Sequence, residues 1–119
     1  MSQNSLTPKI GAIAVLLHEG RFLMVQRGKD PGRGQWGFPG GHVELGETAK
    51  AAAIRELEEE TSVIATAGDY LTAVDVIGKS DAGDLLYLYL LAVVPCTYVS
   101  GTATAGDDAA AAEWVDLAD

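Results

Sequence analysis

Residues Gly40–Val63, GGHVELGETAKAAAIRELEEETSV, decide the fold of this chain. The second half of this stretch, Thr48–Thr61, predicts a helix, because Thr48 suits the N-cap and most residues after it are good helix formers. Small and aliphatic side chains repeat along it with helical spacing, which predicts the face that packs against the rest of the protein. This face consists of Ala49, Ala52, Ala53, Ile54 and Leu57.

The end of the predicted helix carries a cluster of acids. Glu56, Glu59 and Glu60 are spaced so that their carboxylates share one face, whereas Glu58 points elsewhere. Negative charge at a helix C-terminus costs roughly 0.3–1 kcal/mol per residue, so the cluster needs a compensating interaction. A hard cation such as Mg²⁺ or Mn²⁺ supplies one, and a merely solvated acidic face is the alternative. Arg55 is expected to pair with Glu59 or to orient a neighbouring acid.

The residues before the helix, Phe38–Gly41, predict a tight glycine turn. Glycine accepts backbone conformations that other residues avoid, and it leaves no side chain in the way. We therefore expect backbone amides or carbonyls of this turn to approach an ion or a phosphate.

Together these residues resemble the Nudix box, G-x5-E-x7-R-E-U-x-E-E-x-G-U, in which U is a bulky aliphatic residue. The chain departs from the pattern at Ser62, where the family has a glycine that ends the helix in a left-handed conformation. The matching residues are Gly41, Glu47, Arg55, Glu56, Leu57, Glu59, Glu60 and Val63.

The resemblance implies an α/β fold, namely an α/β/α sandwich with a central mixed β-sheet and a loop–helix–loop catalytic motif. We expect residues 1–119 to form a single domain in which residues 1–8 are a flexible tail. Family members carry a second helix after the last strand. Either that helix is missing from this sequence or the domain ends differently.

The resemblance also implies a role for each acid of the box. Glu47 and Arg55 would orient the helix and its carboxylates, and either Glu56 or Glu60 would activate water. A magnesium or manganese ion would be bound by the Gly41 carbonyl, Glu56, Glu59 and Glu60.

Asp108 is a further candidate metal ligand. It stands six residues before Trp114, where relatives often carry another acid that reaches the metal from a loop. Alternatively, Asp107 and Asp108 are solvated turn residues.

A basic, glycine-rich loop, RGKDPGRGQWG, precedes the box. Arg27 or Arg33 is expected to contact a substrate phosphate, with Trp36 packed beneath the loop or stacked near a base. Ordinary solvation of Arg27, Lys29 and Arg33 is the alternative.

The composition narrows the choice of partners. The formal net charge is −9, which disfavours wrapping duplex nucleic acid or binding an anionic membrane, and a polyphosphate would need intervening cations. The apolar run Ile10–Leu17 is too short to span a bilayer. Cys96 is the single cysteine, so we expect it to be buried and unreactive. We expect a cytoplasmic protein that acts on a small nucleotide, and a homodimer stays open.

Apolar runs between turn signals predict the strands of the sheet. Gly11–His18 and Arg21–Gln26 are expected to form a hairpin at the first edge of the sheet. Tyr70–Ile77 and Leu85–Val94 follow as strands, the second covered by helices on both faces, so that Tyr87 and Tyr89 are core or pocket wall.

Pro95 is expected to limit the strand before it. Thr97–Thr104 is then a separate strand or bent ribbon, and Ala112–Leu117 resembles the short strand near the end of Nudix domains.

The activity implied by the resemblance is hydrolysis of a nucleoside diphosphate linked to another moiety, giving a nucleoside monophosphate and a phosphorylated product. The chain is most similar to small bacterial members described as ADP-ribose pyrophosphatases, so ADP-ribose is the first candidate substrate. A nucleoside triphosphate pyrophosphohydrolase that removes damaged nucleotides is the nearest alternative. Two non-catalytic hypotheses also stay open: a nucleotide-binding Nudix-like module, and a protein whose acidic helix docks a basic partner.

Overall fold

A β-hairpin opens the fold. The computed structural model describes residues 6–30 and 32–116, with β1 at Lys9–His18 and β2 at Arg21–Arg27. Glu19 and Gly20 connect these strands with φ angles of 54° and 80°, the left-handed pair that suits a two-residue hairpin turn. The predicted hairpin is therefore confirmed. Most of the tail expected at residues 1–8, namely residues 1–5, lies outside the described residues.

The other elements follow in chain order. They are β3 (Trp36–Gly37), β4 (Gly40–His42), α1 (Ala49–Thr61), β5 (Ile64–Ala67), β6 (Thr72–Lys79), β7 (Leu85–Ser100) and β8 (Ala109–Asp116). β6 and β8 overlap the strands predicted at 70–77 and 112–117, although residue 117 lies outside the described residues.

β1 lies in the interior of a mixed sheet. It runs parallel to β7, from Lys9 opposite Tyr89 to Leu16 opposite Cys96. On its other side it pairs with β4, and it meets β2 only at its last two residues. The prediction that the hairpin forms the first edge of the sheet is wrong. The turn is a local feature, whereas the partners of β1 are distant in sequence.

The remaining pairings complete the sheet. β2 lies between β3 and β8, while β7 borders β6 along its first half and β5 along its second half. This mixed sheet, with α1 packed on it, confirms the predicted α/β class.

β7 continues through Pro95, so it was wrong to end the strand at Val94 and to place a separate strand at Thr97–Thr104. The neighbour of β7 changes at this point, because β6 stops opposite Val93 and β5 starts opposite Cys96. The missing N–H of proline falls in the gap between these two partners.

α1 begins where the sequence predicts. The Thr48 hydroxyl accepts a hydrogen bond from the Ala51 N–H at 3.0 Å, as an N-cap should. Burying a leucine-sized side chain contributes about 1.5–3 kcal/mol, so the buried face of α1 holds it firmly against the sheet. The buried residues are Ala52, Ala53, Leu57 and Thr61, with Ala49 and Ile54 partly buried at the border of the core.

Ser62 ends α1 in the left-handed conformation, with φ 65° and ψ 11°. Its N–H donates to the Glu58 carbonyl at 2.9 Å. The backbone therefore adopts here the geometry for which the family uses glycine, at a cost of roughly 1–2 kcal/mol for a residue with a Cβ.

One face of β7 carries α1, whereas helices were expected on both faces. Within the described residues, the first half of the strand stays open on both sides: Tyr87 is 45% and Leu90 is 47% exposed. Tyr87 and Tyr89 line a pocket of about 270 Å³ together with His42, which is the pocket-wall position predicted for them. Among residues 6–30 and 32–116, no helix has the length and apolar character needed to cross a bilayer.

Candidate active site

A cleft of about 580 Å³ opens beside the acidic end of α1. Acids from α1 and cations from the loop after β2 face the same space. The lining includes Arg27, Lys29, Trp36, Gly41, Glu56, Glu60, Asp107 and Asp108.

Arg55 donates hydrogen bonds to several residues of the Nudix box. Its Nε and Nη2 donate to the two carboxylate oxygens of Glu47 at 2.7 and 3.0 Å, a bidentate pair. Its Nη1 donates to Glu56 at 2.6 Å and to Glu59 at 3.3 Å. Its Nη2 also reaches the His42 carbonyl at 3.0 Å. Arg55 thus joins the loop before α1, the strand β4 and the acids of α1, so both roles expected for it are present.

These contacts perturb the titration of Arg55 and Glu47 in opposite directions. The hydrogen bonds from Arg55 lower the pKa of Glu47 to about 2, with help from the Glu44 N–H. The carboxylate of Glu47 in turn raises the pKa of Arg55. Both side chains are therefore ionised across the physiological range.

The carboxyl groups of Glu56 and Glu60 both line the cleft and lie close enough for each to perturb the pKa of the other. Burial raises the pKa of Glu60, and the adjacent Glu56 raises it further. Burial also raises the pKa of Glu56, against the opposing effect of Arg55. A backbone hydrogen bond from Gly40 opposes the rise in the pKa of Glu60. Two carboxyl groups that are buried side by side favour a cation in their vicinity.

Gly40 and Gly41 lie in the extended strand β4, so the prediction of a tight turn at Phe38–Gly41 is wrong. Glycine is required at both positions because atoms of other segments lie too close to the backbone to leave room for a Cβ. A Cβ at Gly40 would collide with the Ala12 carbonyl, and a Cβ at Gly41 would fall on the Glu56 carboxylate. Glycine at position 41 thus leaves room for the acids of α1 directly against the backbone of β4.

The segment after β7 is attached to the end of α1. The Gly106 N–H donates to the Glu60 carbonyl at 3.0 Å, and the Thr104 N–H donates to the Thr61 carbonyl at 2.8 Å. These bonds bring Asp107 close enough to raise the pKa of Glu60.

Asp108 lines the cleft and pairs with Lys29 at 2.9 Å. Asp107 and Lys29 were not predicted as site groups. The Gly-Asp-Asp turn was the available signal for Asp107, whereas nothing local distinguishes Lys29 from a solvated lysine.

Of the other predicted site residues, some line the cleft and some do not. Glu59 lies outside the lining of the cleft, with its side chain 45% exposed and bonded to Arg55. Arg27 and Trp36 line the cleft, whereas Arg33 is exposed and lies outside its lining.

The donor set fits a hard divalent cation by type, because carboxylate and carbonyl oxygens are the ligands that Mg²⁺ prefers. Because Gly41 has no Cβ, the Glu56 carboxylate lies directly against the backbone of β4, next to the Gly41 carbonyl that completes this donor set. Within residues 6–30 and 32–116, no three acidic, histidine or cysteine side chains already form a cluster ready for an ion. Arg55 occupies oxygens of Glu56 and Glu59.

Comparisons with known proteins bear on the family and the fold of the chain. A family model of the NUDIX domain matches residues 6–119. An ADP-ribose pyrophosphatase of Methanocaldococcus jannaschii is 30% identical over 112 residues, which cover 94% of this chain and 64% of that protein. A CTP pyrophosphohydrolase of Escherichia coli is 38% identical over 61 residues, or 50% of this chain and 45% of that protein. The chain therefore spans less than two thirds of either curated relative.

The fold has a solved counterpart. The crystal structure of a MutT NUDIX hydrolase from Burkholderia pseudomallei superimposes with a TM-score of 0.81 at 30% identity, covering 95% of this chain and 86% of that one.

Proposed function

The chain belongs to the Nudix family, and from this premise we propose that it hydrolyses the diphosphate of a nucleoside diphosphate linked to another moiety. ADP-ribose is the first candidate substrate, with AMP and ribose 5-phosphate as products. The similarity to the ADP-ribose pyrophosphatase of M. jannaschii supports this choice.

One observation carries the proposal: the paired carboxyl groups of Glu56 and Glu60 lie in a cleft and are backed by Arg55. A phosphoric anhydride is cleaved by neutralising its charge and by aligning a water for attack. The cleft is large enough for a diphosphate group and part of a nucleoside.

We propose Glu56, Glu60 and the Gly41 carbonyl as ligands of Mg²⁺ or Mn²⁺, with Glu59 and Asp108 as further ligands. The bound ion would supply charge neutralisation and an activated water. Asp108 would have to leave Lys29 to take part.

The other residues of the box act by position. Glu47 and Arg55 hold α1 against β4, so that the carboxyl groups of Glu56 and Glu60 keep their place. Either Glu56 or Glu60 would accept the proton of the attacking water.

Arg27 is our candidate for contact with a substrate phosphate, because it lines the same cleft as Glu56 and Glu60. Arg33 would require a movement of its loop to do the same. Trp36, also in the lining, offers a face on which a base can stack.

The span of the family match supports one domain at residues 6–119. The cytoplasmic location stays a prediction.

The test is incubation with ADP-ribose in Mg²⁺ and in chelator, followed by chromatography of the products. We expect AMP only with the metal. Glu60→Gln should lower turnover by at least about a hundredfold, since it removes a carboxylate that acts on the reacting groups. Glu58→Gln is the matched control, because Glu58 is exposed on the same helix and lies outside the cleft lining.

Other outcomes would redirect or overturn the proposal. Wild-type turnover in both Glu59→Gln and Glu60→Gln would refute the metal assignment. Pyrophosphate from a nucleoside triphosphate, with ADP-ribose intact, would favour the nucleotide-sanitising alternative. Tight nucleotide binding without any turnover would favour the non-catalytic module.

A further inference from the structure

β6 is an edge strand of the sheet. Within the described residues it pairs with β7 and with no other strand. Its outer edge therefore presents backbone N–H and C=O groups that have no neighbouring strand, and such an edge is a template for pairing with another chain. The strand is eight residues long, enough to support a ladder of several hydrogen bonds.

Asp75, Ile77 and Lys79 project from one face of β6, because side chains alternate along a strand. The bulge at the end of the β6–β7 pair places the extra residue, Leu86, on β7, so the alternation along β6 is kept. Neither Asp75 nor Lys79 has an ion pair or a side-chain hydrogen bond with the rest of residues 6–30 and 32–116. Ile77 lies between them and is 57% exposed.

This pattern is complementary to itself. If two β6 strands pair antiparallel with Ile77 opposite Ile77, Asp75 of each copy lies opposite Lys79 of the other copy. Both ion pairs and the apolar contact then fall on the same face, at the cross-strand distance where such pairs interact. A shift of the centre by one residue removes both ion pairs, so the charges select one register.

We propose that β6 is a self-association edge, through which two copies of this chain join their sheets about a two-fold axis at Ile77. The occupant is a second copy because one strand supplies both charges of each pair and the central apolar contact. An isologous contact of this kind closes on itself and forms a dimer rather than a filament. The interface is small, so we expect a reversible dimer whose population rises with protein concentration.

Charge swapping tests the register. The molar mass of the full chain is measured by sedimentation velocity across a concentration series up to the millimolar range. Asp75→Lys places lysine opposite Lys79 twice, and Lys79→Asp places aspartate opposite Asp75 twice. Each single variant should dimerise about tenfold more weakly than the wild type, because two attractions become repulsions. The double variant, with Asp75→Lys and Lys79→Asp together, should recover wild-type dimerisation.

Controls separate this edge from general charge effects. Glu58→Lys makes the same change in net charge as Asp75→Lys, at an exposed helix position, and should leave the dimer unchanged. Circular dichroism checks that every variant is folded. A wild-type protein that stays monomeric at every concentration would overturn the proposal. Asp75 and Lys79 would then be charges that prevent pairing at an exposed strand edge. A dimer that ignores both reversals would equally overturn it.

Discussion

Arg55→Lys should destabilise the protein far more than its conservative appearance suggests. Lysine keeps the positive charge but has no planar fork, so it cannot reproduce the bidentate contact with Glu47 while also reaching Glu56, Glu59 and the His42 carbonyl. Hydrogen bonds to charged groups contribute roughly 1.5–3 kcal/mol each when well shielded.

The magnitude follows from burial. The Arg55 side chain is 26% exposed and the Glu47 side chain 17% exposed. We therefore expect a loss of about 2–3 kcal/mol, below the full value for a buried network and above that of a surface pair. Arg21→Lys is the matched control, because Arg21 pairs with Asp116 at 2.8 Å while both side chains are 56% exposed. Its loss should stay under about 0.5 kcal/mol.

Urea unfolding in chelator measures both variants without any contribution from bound metal. Equal m-values would show that the comparison is sound. If Arg55→Lys lost no more than Arg21→Lys, the claim that Arg55 holds the box together would be refuted.

Three further predictions concern single positions. Ser62→Gly should raise stability by about 0.5–1 kcal/mol, because glycine adopts the left-handed end of α1 without strain; thermal unfolding measures this, and a loss would contradict it. Since the pKa of Glu47 is depressed to about 2, its stabilising contribution is present above pH ~4.5 and is lost as the pH falls through about 2; Glu47→Gln should flatten the stability profile in that window. Leu57→Ala, in the core, should cost about 2–5 kcal/mol, whereas Leu45→Ala, at a fully exposed side chain, should cost almost nothing.

The helix and its acids were predictable because their signals are local. The N-cap Thr48, the buried Leu57 and the acids of one turn all follow from helical spacing, which no distant residue has to supply. The same spacing predicted the contact of Arg55 with Glu59. The stronger contact with Glu47 reaches back from α1 to a residue before its N-cap, and only the resemblance pointed to a role for Glu47.

The wrong predictions concern residues whose structural role is set by segments that are distant in sequence. Gly40 and Gly41 suggest a turn because glycine permits one, yet they are needed where β4 passes close to β1 and α1. Pro95 suggests a strand end, yet the change of partner along β7 accommodates it. All three residues were recognised as unusual but given the wrong structural role, because their neighbours in space are remote in sequence.

The pairing of the sheet also constrains how the chain folds. β1 cannot form its parallel pairing until β7 has been synthesised, and Arg21 pairs with Asp116, which is 95 residues away in sequence. Contacts this remote slow folding, because loop closure has to precede them. On the ribosome, the hairpin and α1 can form early, whereas β2 stays without β8 until nearly all of the described chain has emerged. Glu56, Glu59 and Glu60 are therefore assembled on one helix before β8 is made, whereas Asp107 and Asp108 complete the cleft among the last of the described residues to emerge.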